Sequence, residues 1–123
     1  MAQILYHFSK SEKKEQLLTL CRKLGLQTKE LFAADAEKTI ALLAGLPELS
    51  AAKEEKRSFF LLPDLILFCG ISSLQLDGFL AAYRKAGIEQ TPLKAMVTPA
   101  NRSWTLRQLV EELQKESRAF GNK

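Results

Sequence analysis

Apolar residues along the chain follow two alternating periods. Short continuous runs of aliphatic and aromatic residues, the pattern of strands, are followed by stretches where apolar positions recur every three to four residues, the pattern of one helix face. "QILYHF" predicts a first strand, and Leu17, Leu20, Cys21 and Leu24 a helical stripe after it. Ser9 and Glu12 have the spacing of a capping box at the start of that helix, and Gly25 with Leu26 marks its stop. "KELFAA" predicts a weaker second strand, with Asp35 capping a short helix through "EKTIALLA" that Gly45 and Pro47 close. "DLILFC" is apolar throughout and bounded by Pro63 and Gly70, as expected of a strand buried on both faces. Ser72 and Gln75 have capping-box spacing, Leu76, Phe79, Leu80 and Tyr83 form a second clear stripe, and Gly87 with Ile88 ends it. "LKAMV" predicts a fourth strand; Thr105 and Gln108 then precede the stripe Leu106, Leu109, Val110 and Leu113. One unit thus recurs in character, though not in sequence.

Strand and helix alternating four times predict an α/β fold: a single domain with a four-stranded, mostly parallel sheet and helices on both faces. The expected strand order is 2-1-3-4, with the fourth strand at an edge guarded by Lys94. An α+β sandwich, with helices on one face of a mixed sheet, is the alternative. Residues 47–58 are polar and longer than an ordinary connection, so they are expected to be a mobile charged loop, and residues 117–123 a frayed tail.

Composition narrows the function classes. A chain of 123 residues has one core's worth of apolar surface, and no apolar run approaches the roughly 18 residues of a membrane span. The net charge of +4 permits an acidic partner, but the surplus divides evenly between the halves and the cations alternate with acids. Nucleic-acid binding is therefore not the expectation. The N-terminal stretch has no signal-peptide character, which implies a cytoplasmic protein. Two cysteines and the single His7 make neither a disulfide framework nor a four-ligand zinc site, so neither metal nor cofactor is expected. No glycine-rich phosphate loop is present.

The stretch "TPANRSW", residues 98–104, carries the main functional question. In parallel α/β sheets ligands bind beyond the carboxyl ends of the strands, where helix N-termini offer free amides. That edge is expected to gather Ser9, Cys69, Ser72, Thr98, Asn101, Arg102 and Trp104. The polar side chains could hydrogen-bond a ligand and Arg102 could pair with an anion. The same residue types are what caps and turns require, Cys69 suits a small buried position, and Trp104 suits either a staple on the helix below or a stacking platform. The expectation is a small soluble binding or interaction module for a small anionic ligand or a protein partner, without catalytic residues. The alternative is a thiol-dependent enzyme or redox sensor built on Cys69.

The segments "LILFCGISSLQLDGFLAAYRKAGI" and "TPLKAMVTPANRSWTLRQLVEEL" resemble the bacterial family known as domain of unknown function 3783, through Cys69, Gly70 and Ser72, Pro92 to Ala95, and Thr98, Pro99, Asn101, Trp104 and Thr105. The resemblance implies no activity; it makes the motifs after the third and fourth strands the distinctive part of the chain.

Overall fold

The computed structural model describes residues 2–45, 61–91 and 93–121, with side chains as far as Glu116. The elements are β1 (Gln3–His7), α1 (Ser11–Leu24), β2 (Gln27–Glu30), a 3-10 turn (Ala33–Asp35), α2 (Ile40–Leu43), β3 (Leu65–Cys69), α3 (Ser73–Lys85), β4 (Lys94–Met96) and α4 (Leu106–Gly121). The expected loop at 47–58 lies outside the described residues, and α4 continues into the segment expected to fray.

The four strands form one sheet in the order β2-β1-β3-β4. β1 pairs with β2 and β3 with β4 in parallel, while β1 and β3 at the centre run antiparallel, with Leu5 opposite Leu67. The sheet is therefore mixed. Crossover helices force parallel pairing only on the strands they connect, which are β1–α1–β2 and β3–α3–β4; nothing imposes it between the two pairs. Alternate strand residues supply two cores. Ile4, Tyr6, Ile66 and Phe68 pack under α1 and α3 with Leu17, Cys21 and Phe79. Leu5, Leu65 and Leu67 pack on the other face with Ile40, Leu43, Leu106 and Val110 from α2 and α4.

The two halves, β1-α1-β2-α2 and β3-α3-β4-α4, repeat one set of contacts about the Leu5–Leu67 pair. Leu26 N–H donates to the Cys21 carbonyl and Ile88 N–H to that of Tyr83; Gly25 and Gly87, at φ 74° and 73°, make the same left-handed helix stop. Leu31 N–H donates to Tyr6 and Val97 N–H to Phe68. The halves also clasp each other reciprocally. Ile40 N–H donates to the Trp104 carbonyl and Ala41 N–H to that of Arg102, while Leu106 N–H donates to Lys38 and Arg107 N–H to Ala36, all at 2.8–2.9 Å. Thr39 and Thr105 form an antiparallel bridge between these turns. The register pairs Thr28 with Ile4 and Lys94 with Ile66, so Lys94 is the counterpart of Thr28. Between Ile88 and Leu93 the second half has Glu89, Gln90, Thr91 and Pro92; in the first half Leu26 and Gln27 are adjacent.

Three local expectations are corrected. The N-cap of α1 is Lys10, with no side-chain cap, because the Ser9 amide is drawn to Asp64 instead. β2 is "QTKE" rather than "KELFAA": an edge strand with exposed faces carries no apolar period, so the sequence pattern marks the buried Leu31 just beyond it. The cap of α2 is Thr39, whose hydroxyl accepts from Leu42 N–H, whereas Asp35 closes the preceding turn by accepting from Phe32 N–H at 3.0 Å.

Ile40 and Leu106 are fully buried beside the clasp. Ile40→Ala and Leu106→Ala should each cost about 2–5 kcal/mol in urea denaturation, the range for truncating a large aliphatic residue in a core. A cost below about 1 kcal/mol at either site, the level of ordinary surface changes, would show that the clasp does not hold the halves together.

Candidate functional site

The antiparallel centre divides the expected site. Cys69, Ser72, Thr98, Asn101, Arg102 and Trp104 stay together at the carboxyl ends of β3 and β4, but Ser9 follows β1 to the opposite edge, since His7 lies opposite Leu65 and Gln3 opposite Cys69. At the first edge most polar groups are engaged locally. Ser72 and Gln75 form the expected capping box: Gln75 N–H donates to Ser72 Oγ at 3.1 Å and Ser72 N–H to Gln75 Oε1 at 2.9 Å. Thr105 and Gln108 do likewise at the start of α4.

Within the "TPANRSW" loop, Thr98 N–H donates to Asn101 Oδ1 at 2.9 Å, Asn101 N–H donates to Thr98 Oγ1, and Asn101 Nδ2 donates to the Met96 carbonyl. The expected free amides of α4 are not free: those of Leu106 and Arg107 serve the clasp and that of Gln108 meets its cap. Trp104 is half-buried against the α2–α4 core, and it also borders a groove along α4 with Gln108, Glu111, Glu112 and Lys115. Arg102 is exposed.

Neither thiol is presented to solvent. Cys69 is 5% exposed and packed in the α2–α4 core. Cys21 lies in the other core, where burial pushes its thiol pKa up to about 11. Among the described residues no group of His, Cys, Asp or Glu is placed to hold a metal ion.

The opposite edge is chemically richer. Here the end of β1 and the start of α1 meet the start of β3 and the segment leading into β4. Lys13 is only 4% exposed although it carries an ammonium group. Its Nζ donates to Asp64 Oδ2 at 3.2 Å and to the Gln90 carbonyl at 3.3 Å, and lies 4.4 Å from the Phe8 ring centroid. Asp64 Oδ1 accepts the Ser9 amide at 2.9 Å. Burial alone would raise the Asp64 pKa, but the Ser9 amide and the Lys13 ammonium outweigh it and the net shift is downward. Lys94 Nζ donates to the Thr91 carbonyl at 2.6 Å. Burial, and then repulsion from Lys13, lower the Lys94 pKa. Tyr83 Oη donates to the Glu89 carbonyl and lies 3.1 Å from Oγ1 of the fully buried Thr91.

Of these groups Tyr83, Gln90 and Lys94 line a cavity of about 130 Å³ between α3 and the β3–β4 pair. Ile66, Phe79, Leu80 and Tyr83 supply its largely apolar wall, and Arg84, Gln90 and Lys94 supply its polar side. A volume of this size holds roughly four water molecules or a ligand of a few heavy atoms. Lys94 and Arg84 have no carboxylate partner among the described residues. The counterparts of Phe79, Tyr83 and Lys94 in the first half are Leu17, Cys21 and Thr28. The amine and the phenol are therefore peculiar to the second half, as are Gln90 and Thr91, which its extra residues bring.

Of this cluster the sequence pattern marked Lys94 as an edge guard, Phe79, Leu80 and Tyr83 as part of a stripe, and Ser9 as a cap and candidate ligand contact. One signal for the rest was available. Lys13 precedes Leu17 by four residues, which puts a lysine on the inward stripe of α1 and implies a buried partner.

Residues 64–120 match the model of the family described as Domain of unknown function (DUF3783). The matched segment runs from Asp64 through β3, α3 and β4 into α4, so it contains every residue lining the cavity but not Lys13. No curated protein and no solved structure matches the chain.

Removing the Asp64 charge should leave Lys13 buried without a counter-ion. Asp64→Asn is expected to cost stability at neutral pH near the lower end of the roughly 3–5 kcal/mol seen when one partner of a buried pair is removed, because Asp64 itself is 25% exposed. A carboxylate whose folded pKa is depressed stabilises the fold above its unfolded value of about 3.9, and that contribution fades as pH falls through the folded value. Denaturation across pH 2–7 should therefore show a shallower acid loss in Asp64→Asn than in wild type. Parallel acid limbs would contradict the pairing.

Proposed function

We propose that this chain, whose residues 64–120 belong to the Domain of unknown function (DUF3783) family, is a small binding module whose ligand is a small organic anion seated between α3 and the β3–β4 pair. The observation that carries the reading is the cavity itself: a mainly apolar wall lined also by the half-buried Lys94 and the exposed Arg84, neither paired with a carboxylate among the described residues. A cation held in apolar surroundings without a counter-ion favours an anionic visitor, whose charge it meets in a medium that screens poorly. The small volume restricts the ligand to a short chain, with its tail against Phe79 and Leu80 and its charged end toward Lys94 and Arg84. Tyr83 serves as a fixed wall, its hydroxyl committed to Glu89 and Thr91.

The edge with the "TPANRSW" loop supports a ligand less well, because its turn and the first amides of α4 are bonded within the fold. A thiol mechanism has little support from two buried cysteines. Cysteines left free rather than bridged accord with a cytoplasmic setting.

Titration calorimetry with butyrate, against butanol as the uncharged equivalent, tests the proposal. Butyrate should bind and butanol should not. Lys94→Met and Arg84→Gln should each weaken butyrate binding by about tenfold, the equivalent of one ion pair worth roughly 1.4 kcal/mol. Equal binding of both compounds, or of butyrate to wild type and both variants, would refute it.

A further inference from the structure

We propose that the pocket takes short-chain 2-oxo acids, with the ligand's carbonyl carbon captured by Lys94 as a reversible imine. This rests on the anion-binding reading above and assigns separate tasks to the two cations there.

Lysine becomes a nucleophile when it is desolvated in an apolar pocket or placed near another cation. Lys94 meets both conditions. Its side chain is half-buried beside Ile66 and Phe79, and the buried Lys13 ammonium is close enough to disfavour a second positive charge. The Asp64 carboxylate that could relieve this repulsion is already bonded to Lys13 and to the Ser9 amide. Lys94 Nζ keeps its hydrogen bond to the Thr91 carbonyl, which a neutral amine can donate as well as an ammonium. The nitrogen is thereby held at the cavity wall, where the fraction of Lys94 that gives up its proton presents a lone pair to the cavity.

Arg84 presents the planar fork of donors that matches a carboxylate, so it is left to receive the ligand's carboxylate. A molecule with a carboxylate next to a ketone and a short apolar tail satisfies all three surfaces. In the capture step Lys94 first gives its extra proton to solvent, and its nitrogen then adds to the ketone carbon. The carbonyl oxygen then leaves as water, carrying the two hydrogens the nitrogen gives up, and a C=N bond replaces C=O. No oxidant or reductant takes part.

The reacting amine and the segment that borders it belong to the second half of the fold, and the first half contributes the Lys13 charge. The residue equivalent to Lys94 in the first half is Thr28, and the Gln90 and Thr91 that border the amine have no equivalent there.

The test is reductive trapping on the full chain with 2-oxobutyrate and cyanoborohydride, read by intact mass and peptide mapping. Reduction of the imine fixes an adduct equal to the ligand less one oxygen atom. Lys94 should be modified several-fold faster than the exposed Lys23 and Lys85, with excess butyrate slowing it. In Lys94→Arg, which keeps the charge, the fast reaction should vanish. 2-Hydroxybutyrate should give no adduct. Labelling of Lys94 no faster than Lys23 and Lys85 overturns the imine, and if butyrate still binds in calorimetry the anion-binding reading survives that loss. Fast labelling that butyrate does not slow overturns the oxo-acid assignment, since no carboxylate is then being held.

Discussion

The antiparallel pairing of β1 with β3 is the constraint from which the remaining geometry follows. It places Leu5 against Leu67 at the centre of the sheet and relates the two β-α-β-α halves to each other about that point. Because the central strands run in opposite directions, the carboxyl end of β1 meets the amino end of β3. Ser9 and Lys13 are thereby delivered to Asp64, and Cys69 and Ser72 are carried to the far edge. The same arrangement turns the loops before α2 and α4 toward each other, where each helix start donates to the other loop's carbonyls. The "TPANRSW" loop is one side of that clasp. Its polar residues are a turn that starts a helix, and they also join the halves.

A scaffold with two equivalent halves makes departures from equivalence informative. The helix stops at Gly25 and Gly87, the strand exits at Leu31 and Val97 and the caps at Thr39 and Thr105 correspond. Around the cavity they do not correspond: the second half has Glu89, Gln90 and Thr91 with no equivalents, Tyr83 in place of Cys21, and Lys94 in place of Thr28. A buried ion pair such as Lys13–Asp64 contributes little net stability once desolvation is counted, so stability alone is a weak reason for it. Its position beside Lys94 supplies another, since the Lys13 charge is one of the two influences that lower the Lys94 pKa.

Much of the fold was legible because burial leaves a period in the sequence. The stripes of α1, α3 and α4 and the continuous apolar β3 arise from one-sided or complete burial, the glycine stops after α1 and α3 from left-handed backbone, and the expected strand order 2-1-3-4 is the one observed. β2 was misplaced because an edge strand with exposed residues has no such period. The direction of β1 relative to β3 was not legible, since it depends on pairing between halves rather than on any local pattern. This also governed the site. Each residue expected at the carboxyl edge was read in its own local context, and Ser9 was separated from the others only by strand direction. Lys13 and Asp64 meet across 51 positions of chain, a contact that no spacing rule reports.

The central claim is that ligand recognition belongs to the cavity built where the halves differ. Amide chemical-shift mapping of the labelled protein during titration with 2-oxobutyrate tests this directly, because it reports on every part of the scaffold at once. The expected shifts cluster at Ile66, Phe79 to Arg84, and Gln90, Thr91 and Lys94, while the counterparts Ile4, Leu17 to Arg22 and Thr28 stay in place along with residues 98–105. Saturable shifts centred on residues 98–105, or divided equally between the two halves, would contradict the account.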